Sequence, residues 1–186
     1  MDQTNLKTNL VDHLPIFKYG SSILRKKART IKDFTIIPKM VEKMFAAMKA
    51  EHGIGLAANQ VGWNLNLLVV DTRNYDEEEG KQYIFLNAEI IHSEGEAIME
   101  EGCLSIPGIR AQIKRPETIQ LKYQDIEQKF HQRYFSGFIS RVIQHEIDHL
   151  NGKLFIDYLS QTKRTLINKR LLEISNTEKQ PSAIIL

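Results

Sequence analysis

"VIQHEIDHLNG", residues 142–152, holds two histidines four positions apart, with a glutamate directly after the first and an aspartate directly before the second. His-Glu-x-x-His on a helix is the signature of zinc peptidases, because residues i and i+4 share one face. Gly137 precedes the segment, and a helix is predicted from there through about Leu150. At about 100° per residue, His145, Glu146 and His149 fall on the same arc as Phe138, Ile139 and Val142, the face that packs inward. Burying three ionisable groups without partners is costly. A metal ion removes the conflict: the imidazoles bind it and the carboxylate faces a bound water. Asp148 falls on the flank beside Arg141, better placed for a salt bridge or for supporting a ligand than for ligation. Arg141, one turn before His145, either rims the pocket or pairs with Asp148. A helix with two satisfied core histidines is the plain alternative; it suits a lone histidine better than this motif on an inward face.

Working outward, the other elements are short and mixed. "PKMVEKMFAAMKAEHG" reads as a helix with Pro38 in its first turn, Gly53 just past its end, and an apolar stripe of Val41, Met44, Phe45 and Met48. Residues 65–71 and 82–87 read as strands, and the acidic stretch between them as a solvated loop. Residues 96–108 read as a strand running into a turn at Pro107 and Gly108. In "ETIQLKYQD", Ile119, Leu121 and Tyr123 alternate with polar residues, and "KFHQRYF" reads as the returning strand. A last helix over 160–174 follows Ser160 as N-cap; residues 1–37 read as an irregular arm and 176–186 as a mobile tail. The class is α+β, with central antiparallel or mixed strands packed around the histidine helix and a C-terminal helix. At 186 residues the chain is expected to form one catalytic domain over 1–186, with about 160–186 as its C-terminal helix and tail.

Composition narrows the setting. The formal net charge of +2 gives no argument for sequence-specific nucleic-acid binding, and no apolar run is long enough for a membrane span. The opening residues have neither a signal-peptide pattern nor a visible transit peptide. A single cysteine rules out a disulfide within the chain, so a reducing, cytoplasmic location is expected.

A catalytic metal of this kind takes three protein ligands. Zinc peptidases draw the third from downstream, but no histidine follows His149, and the glutamates left there, Glu173 and Glu178, lie on a basic helix and in the tail. Upstream stands "EGCLSIPG", where Cys103 closes a strand among polar and turn-forming flanks. A thiolate suits Zn²⁺ and Fe²⁺; an inert core cysteine is the ordinary alternative. His13, His52, His92 and His131 are isolated and read as structural or surface residues. "GIGLAANQVG", from Gly53, loosely matches a dinucleotide fingerprint, with Asp71 near the acidic position. That fingerprint follows a strand and opens a helix; here a helix precedes and a strand follows. The stretch reads instead as a backbone-exposing loop beside a ligand, from which Gln60 presents an amide donor toward developing negative charge. A tight connecting turn is the alternative.

Taken together and in order, "GIGLAANQ", "EGCLS" and "QHEIDH" resemble the three signature motifs of peptide deformylases, and the resemblance runs over roughly residues 15–160. It implies removal of the formyl group from the N-terminal formyl-methionine of nascent polypeptides. It implies that Cys103, His145 and His149 bind one divalent metal, with Fe²⁺ expected and Zn²⁺, Ni²⁺ or Co²⁺ as alternatives. It implies Glu146 as general acid/base, Gln60 and the backbone N–H of Leu104 as oxyanion donors, and Ile54, Gly55 and Arg110 as residues of the substrate groove. Ile54, Phe138 and Val142 are candidates for an apolar pocket that takes the methionine side chain. Basic residues Lys163, Arg164, Lys169 and Arg170 suggest a C-terminal helix that docks on the ribosome, as in bacterial relatives; a solvated helix is the alternative. The competing functions are a zinc endopeptidase of the HExxH type and a metal-binding domain without activity.

Overall fold

The computed structural model describes residues 14–75 and 80–177. The acidic run 76–79, His13 and the tail beyond 177 lie outside the described residues. The elements are α1 (Ile37–Ala50), β1 (Gly55–Ala57), β2 (Leu67–Asp71), β3 (Gln82–Glu94), β4 (Ala97–Cys103), β5 (Ile106–Arg115), β6 (Thr118–Gln124), β7 (Phe130–Ser136), α2 (Gly137–Leu150) and α3 (Gln161–Thr177). Five strands form one sheet in the order β1-β2-β3-β6-β7, and β4 and β5 form a separate hairpin. Among the described residues every strand pair is antiparallel, and parallel pairing is confined to an isolated bridge between Arg29 and Leu65. The β4-β5 hairpin interrupts the chain between the neighbours β3 and β6, and this excursion carries Cys103 out to the histidine helix.

The run "LLVV" in β2 explains how the layers stack. Leu67 and Val69 join a cluster with Met40, Val41, Met44 and Met48 of α1, while Leu68 and Val70 join Ile143 and Ile147 of α2. The sheet thus lies between α1 and α2, and β2 is buried on both faces, which is why it reads as an unbroken apolar run. Ile119, Leu121 and Tyr123 of β6 face α2, as their alternation predicts. A third cluster joins Phe17, Leu24, Ile106, Ile113, Phe155, Leu171 and Ile174. The described part of the arm, from residue 14 on, and α3 are therefore packed parts of the body. Among the described residues no helix is long and apolar enough to cross a membrane.

Several boundaries differ from expectation. β3 continues to Glu94 because Asn87, at φ 52°, sits beside a register shift that breaks the apolar pattern without ending the strand. Pro107 and Gly108 lie within β5, not at its turn; the turn is at 104–105, since Cys103 already pairs with Ile106. Proline is tolerated there because, among the described residues, β5 pairs with β4 alone and is an edge strand. The α1 stripe also includes Met40 and Ala47, and Phe45 is only half-buried. α3 extends to Thr177, and Ser160 Oγ accepts a hydrogen bond from Lys163 N, as an N-cap does.

Candidate active site

α2 is buried on all sides from Ser140 to Leu150, the flank of Arg141 and Asp148 included. Arg141, His145 and Asp148 are satisfied by a charge network. His145 Nδ1 meets Glu101 Oε2 at 2.9 Å. Glu101 is gripped by Arg115 through two bonds of 2.6 and 3.0 Å, and Arg141 adds a third of 2.9 Å. Arg141 also donates to the carbonyls of Ile113 and Ala97. It lines the cleft, but its carboxylate partner is Glu101 rather than Asp148. Asp148 pairs instead with Arg115 at 2.6 Å and accepts from Tyr158 Oη at 3.0 Å. Burial favours protonating Glu101, but the bonds from His145 and Arg115 outweigh it and hold the carboxyl well below the ordinary range.

With Nδ1 of His145 committed to Glu101, its other ring nitrogen is left for the site's centre. Cys103 Sγ lies 3.1 Å from His149 Nε2. The ligand atoms of Cys103, His145 and His149 all lie within 4.8 Å of one another. Burial lowers the His149 pKa well below its ordinary value, so the ring is neutral, the form that offers a lone pair to a metal. On His145 burial works the same way, but hydrogen bonds to Cys103 and Glu101 prevail and draw a proton onto the ring. An environment that favours a positive charge between Cys103 and His145 also suits a divalent cation. A thiolate and two imidazoles fit Fe²⁺, Zn²⁺ and their neighbours.

Glu146 is almost wholly buried, and its Oε2 has no hydrogen-bond partner among the described residues. Burial raises its pKa to about 7, with the charge of Glu101 adding to the effect and His145 opposing it. Gly55 makes room for it: a Cβ at that position would sit 2.5 Å from Glu146 Oε1 and 2.8 Å from Val142 Cγ1. The Gln60 amide is oriented by Ala57 N–H, which donates to its Oε1 at 2.8 Å. Its Nε2 thereby points at Ser105 Oγ, 3.2 Å away, and at Cys103 Sγ, 3.7 Å away. Leu104 occupies the turn between β4 and β5.

These groups border a cleft of about 700 Å³. Ile54, Gly55, Gln60, Cys103, Leu104, Arg110, Phe138, Val142, His145 and Glu146 all line it; His149 lies buried behind. Arg110 is mostly exposed and faces Glu100. Of the isolated histidines, His52 lines the cleft rim, His131 pairs with Asp125 and His92 lies near Glu94. Sequence reasoning missed Glu101, the centre of the network, having read its segment only as a polar flank. A signal was present: residues two apart on a strand share a face, so Glu101 points with Cys103 toward α2. No comparable signal existed for Ser105, Tyr158 or Asn59, whose Nδ2 donates to His149 O at 2.5 Å.

A helix with His-Glu-x-x-His normally completes its site from downstream; here the third group comes from an earlier hairpin, and an amide donor stands beside it. That departure sets the fold and site among metal-dependent hydrolases distinct from the zinc endopeptidases. The polypeptide deformylase family model matches residues 13–165. A peptide deformylase of Cytophaga hutchinsonii is 43% identical over 165 residues, covering 87% of this chain and 90% of that protein. The crystal structure of the Thermus thermophilus peptide deformylase superposes with a TM-score of 0.82 at 35% identity, covering 88% of this chain and 98% of that one. A Synechococcus elongatus peptide deformylase in complex with actinonin gives 0.79 at 33%, covering 84% and 87%. The chain belongs to the peptide deformylase family, metal-dependent hydrolases that remove the formyl group from the N-terminus of nascent polypeptides.

Proposed function

We propose that the cleft seats a formyl-methionyl chain end with its formyl carbon between Glu146, Gln60 and Leu104. The observation that carries this reading is the buried Glu146 carboxylate with one oxygen unpartnered beside the cysteine and histidines. Cys103, His145 and His149 would hold one divalent ion, Fe²⁺ in our reading. When bound, such an ion acts as a Lewis acid that activates water and the formyl carbonyl at neutral pH. Glu146 takes a proton from the attacking water and delivers it to the amine as the C–N bond breaks, giving formate and a free N-terminus. Gln60 Nε2 and the Leu104 N–H donate to the oxyanion; one such donor is typically worth about 10²–10³ in rate. Ile54, Phe138 and Val142 take the methionine side chain, and Gly55 and Arg110 border the path of the following residues.

The test is formate release from formyl-Met-Ala-Ser by anaerobically purified protein, with metal analysis under nitrogen. Formate release with iron bound is expected. Casein cleavage without formate would instead support the endopeptidase reading, and metal bound without formate would sink the proposed residue roles.

We further infer one catalytic domain that works in the cytoplasm, with α3 docking on the ribosome. Lys163, Lys169 and Arg170 on α3 are exposed, while Arg164 lies near Asp157. Because Leu171 and Ile174 are buried in the third cluster, truncation would disturb the fold. Charge reversal at Lys163 and Lys169 is the cleaner test: co-sedimentation with ribosomes should fall, and unchanged co-sedimentation would end the idea.

A further inference from the structure

The arm touches both sources of the proposed oxyanion donors through three consecutive residues. Phe17 N–H donates to the carbonyl of Gln60 at 2.7 Å. Lys18 Nζ donates to the carbonyl of Leu104 at 3.0 Å. Tyr19 N–H donates to the carbonyl of Ser105 at 2.8 Å. Gln60 and the 104–105 turn come from distant parts of the chain, and among the described residues they are joined directly by the bond from Gln60 Nε2 to Ser105 Oγ. The side chains around Lys18 hold the segment in place. Phe17 and Tyr19 pack into the third cluster, and Phe17 lies against Gly62, where a Cβ would meet its ring at 2.8 Å. Lys18 points the other way and lines the cleft together with Gln60 and Leu104.

We propose that Lys18 is a positioning residue for catalysis: its ammonium anchors the Leu104 carbonyl, in the peptide unit next to the one that carries the Leu104 N–H, and so limits the rocking of the 104–105 turn and keeps that N–H and the Gln60 amide aimed at one point. This inference rests on the oxyanion role assigned to Gln60 and Leu104 above. A turn held by one strand pair at its ends can rock, and a donor displaced by a fraction of an ångström loses much of its transition-state stabilisation while binding of the ground state changes little. A backbone carbonyl tied by a charge-assisted bond is held more firmly than by a neutral one. The same anchor explains why an irregular arm keeps a fixed path beside the site.

The experiment compares wild type with Lys18→Met, Lys18→Arg and Gln60→Met on formyl-Met-Ala-Ser, with bound metal and thermal unfolding measured for each. Lys18→Met should lower kcat about tenfold, below the cost of deleting a donor outright, with KM within twofold and metal content unchanged. Lys18→Arg keeps a donor and should recover most of the loss. A change in KM with kcat intact would make Lys18 a substrate contact and overturn the proposal. Loss of metal or of folding in Lys18→Met without rescue by arginine would make its role merely structural and also overturn it. Gln60→Met separates the two levels: if it retains full kcat, the oxyanion reading itself is wrong. If it loses kcat while Lys18→Met does not, only the positioning role fails.

Discussion

At Gly55 and at Glu101 the site depends on single atoms. Any side chain at Gly55 would displace the Glu146 carboxylate or Val142, because both lie under 3.0 Å from where a Cβ would stand. Gly55→Ala should therefore lower kcat at least about tenfold, in line with the cost of misplacing a catalytic group, while the protein keeps its metal; unchanged formate release would show that Glu146 moves freely. Glu101→Gln removes the charge that Arg115 and Arg141 neutralise and weakens the acceptor for His145. Breaking a buried pair of this kind costs about 3–5 kcal/mol of stability, and losing the carboxylate behind a ligand histidine lowers metal affinity about 10–100-fold. Urea unfolding and titration with the metal check both. That Glu146, Gln60 and Cys103 would meet at one cleft was legible because each sits in a recognisable motif. Glu101 was not, since its importance comes from convergence of Arg115, Arg141 and His145 across three elements, and only the strand period hinted at it.

At the scale of elements, the histidine helix was readable from its period, but its surroundings were not. Arg141 and Asp148 fall on a polar flank of the helical wheel, which ordinarily means solvent. Here the β4-β5 hairpin covers that flank, and its buried charges meet Arg115 and Glu101. No local pattern announces that a distant hairpin folds over a helix. The arm was likewise read as irregular, yet it is tied down by Arg25, which pairs with Asp157 in the turn before α3. A Cβ on Gly152 would lie 2.5 Å from the Arg25 carbonyl, so this junction is closely packed. For Asp157, burial works against ionisation, but hydrogen bonds from Arg25 and from the Leu154 N–H prevail and lower its pKa. A folded-state pKa below the unfolded value means stabilisation that is present at neutral pH and lost as the pH falls through the carboxylate range. The pair is partly exposed, so Asp157→Asn should cost only about 1 kcal/mol at pH 7, with the difference from wild type shrinking toward pH 3. Thermal unfolding across that range checks the sign; a difference that grows on acidification would refute it.

For the molecule as a whole, the α+β class followed from the order of predicted elements, while the way the chain builds its site followed from topology. The five-stranded sheet supports α2 on one face and α1 on the other, and the hairpin excursion between β3 and β6 brings the cysteine back over the histidines. That long-range closure gives a peptidase-like helix a cysteine neighbour that arrives from upstream. We propose that Glu146 moves protons and does not hold the metal. The most direct measurement is metal occupancy and formate release on the same preparation of Glu146→Ala, made anaerobically beside the wild type. Occupancy should equal that of the wild type while the rate of formate release falls by about 10²–10⁴, the usual worth of a general acid/base. Loss of the metal, or formate release near the wild-type rate, would contradict the role given to Glu146.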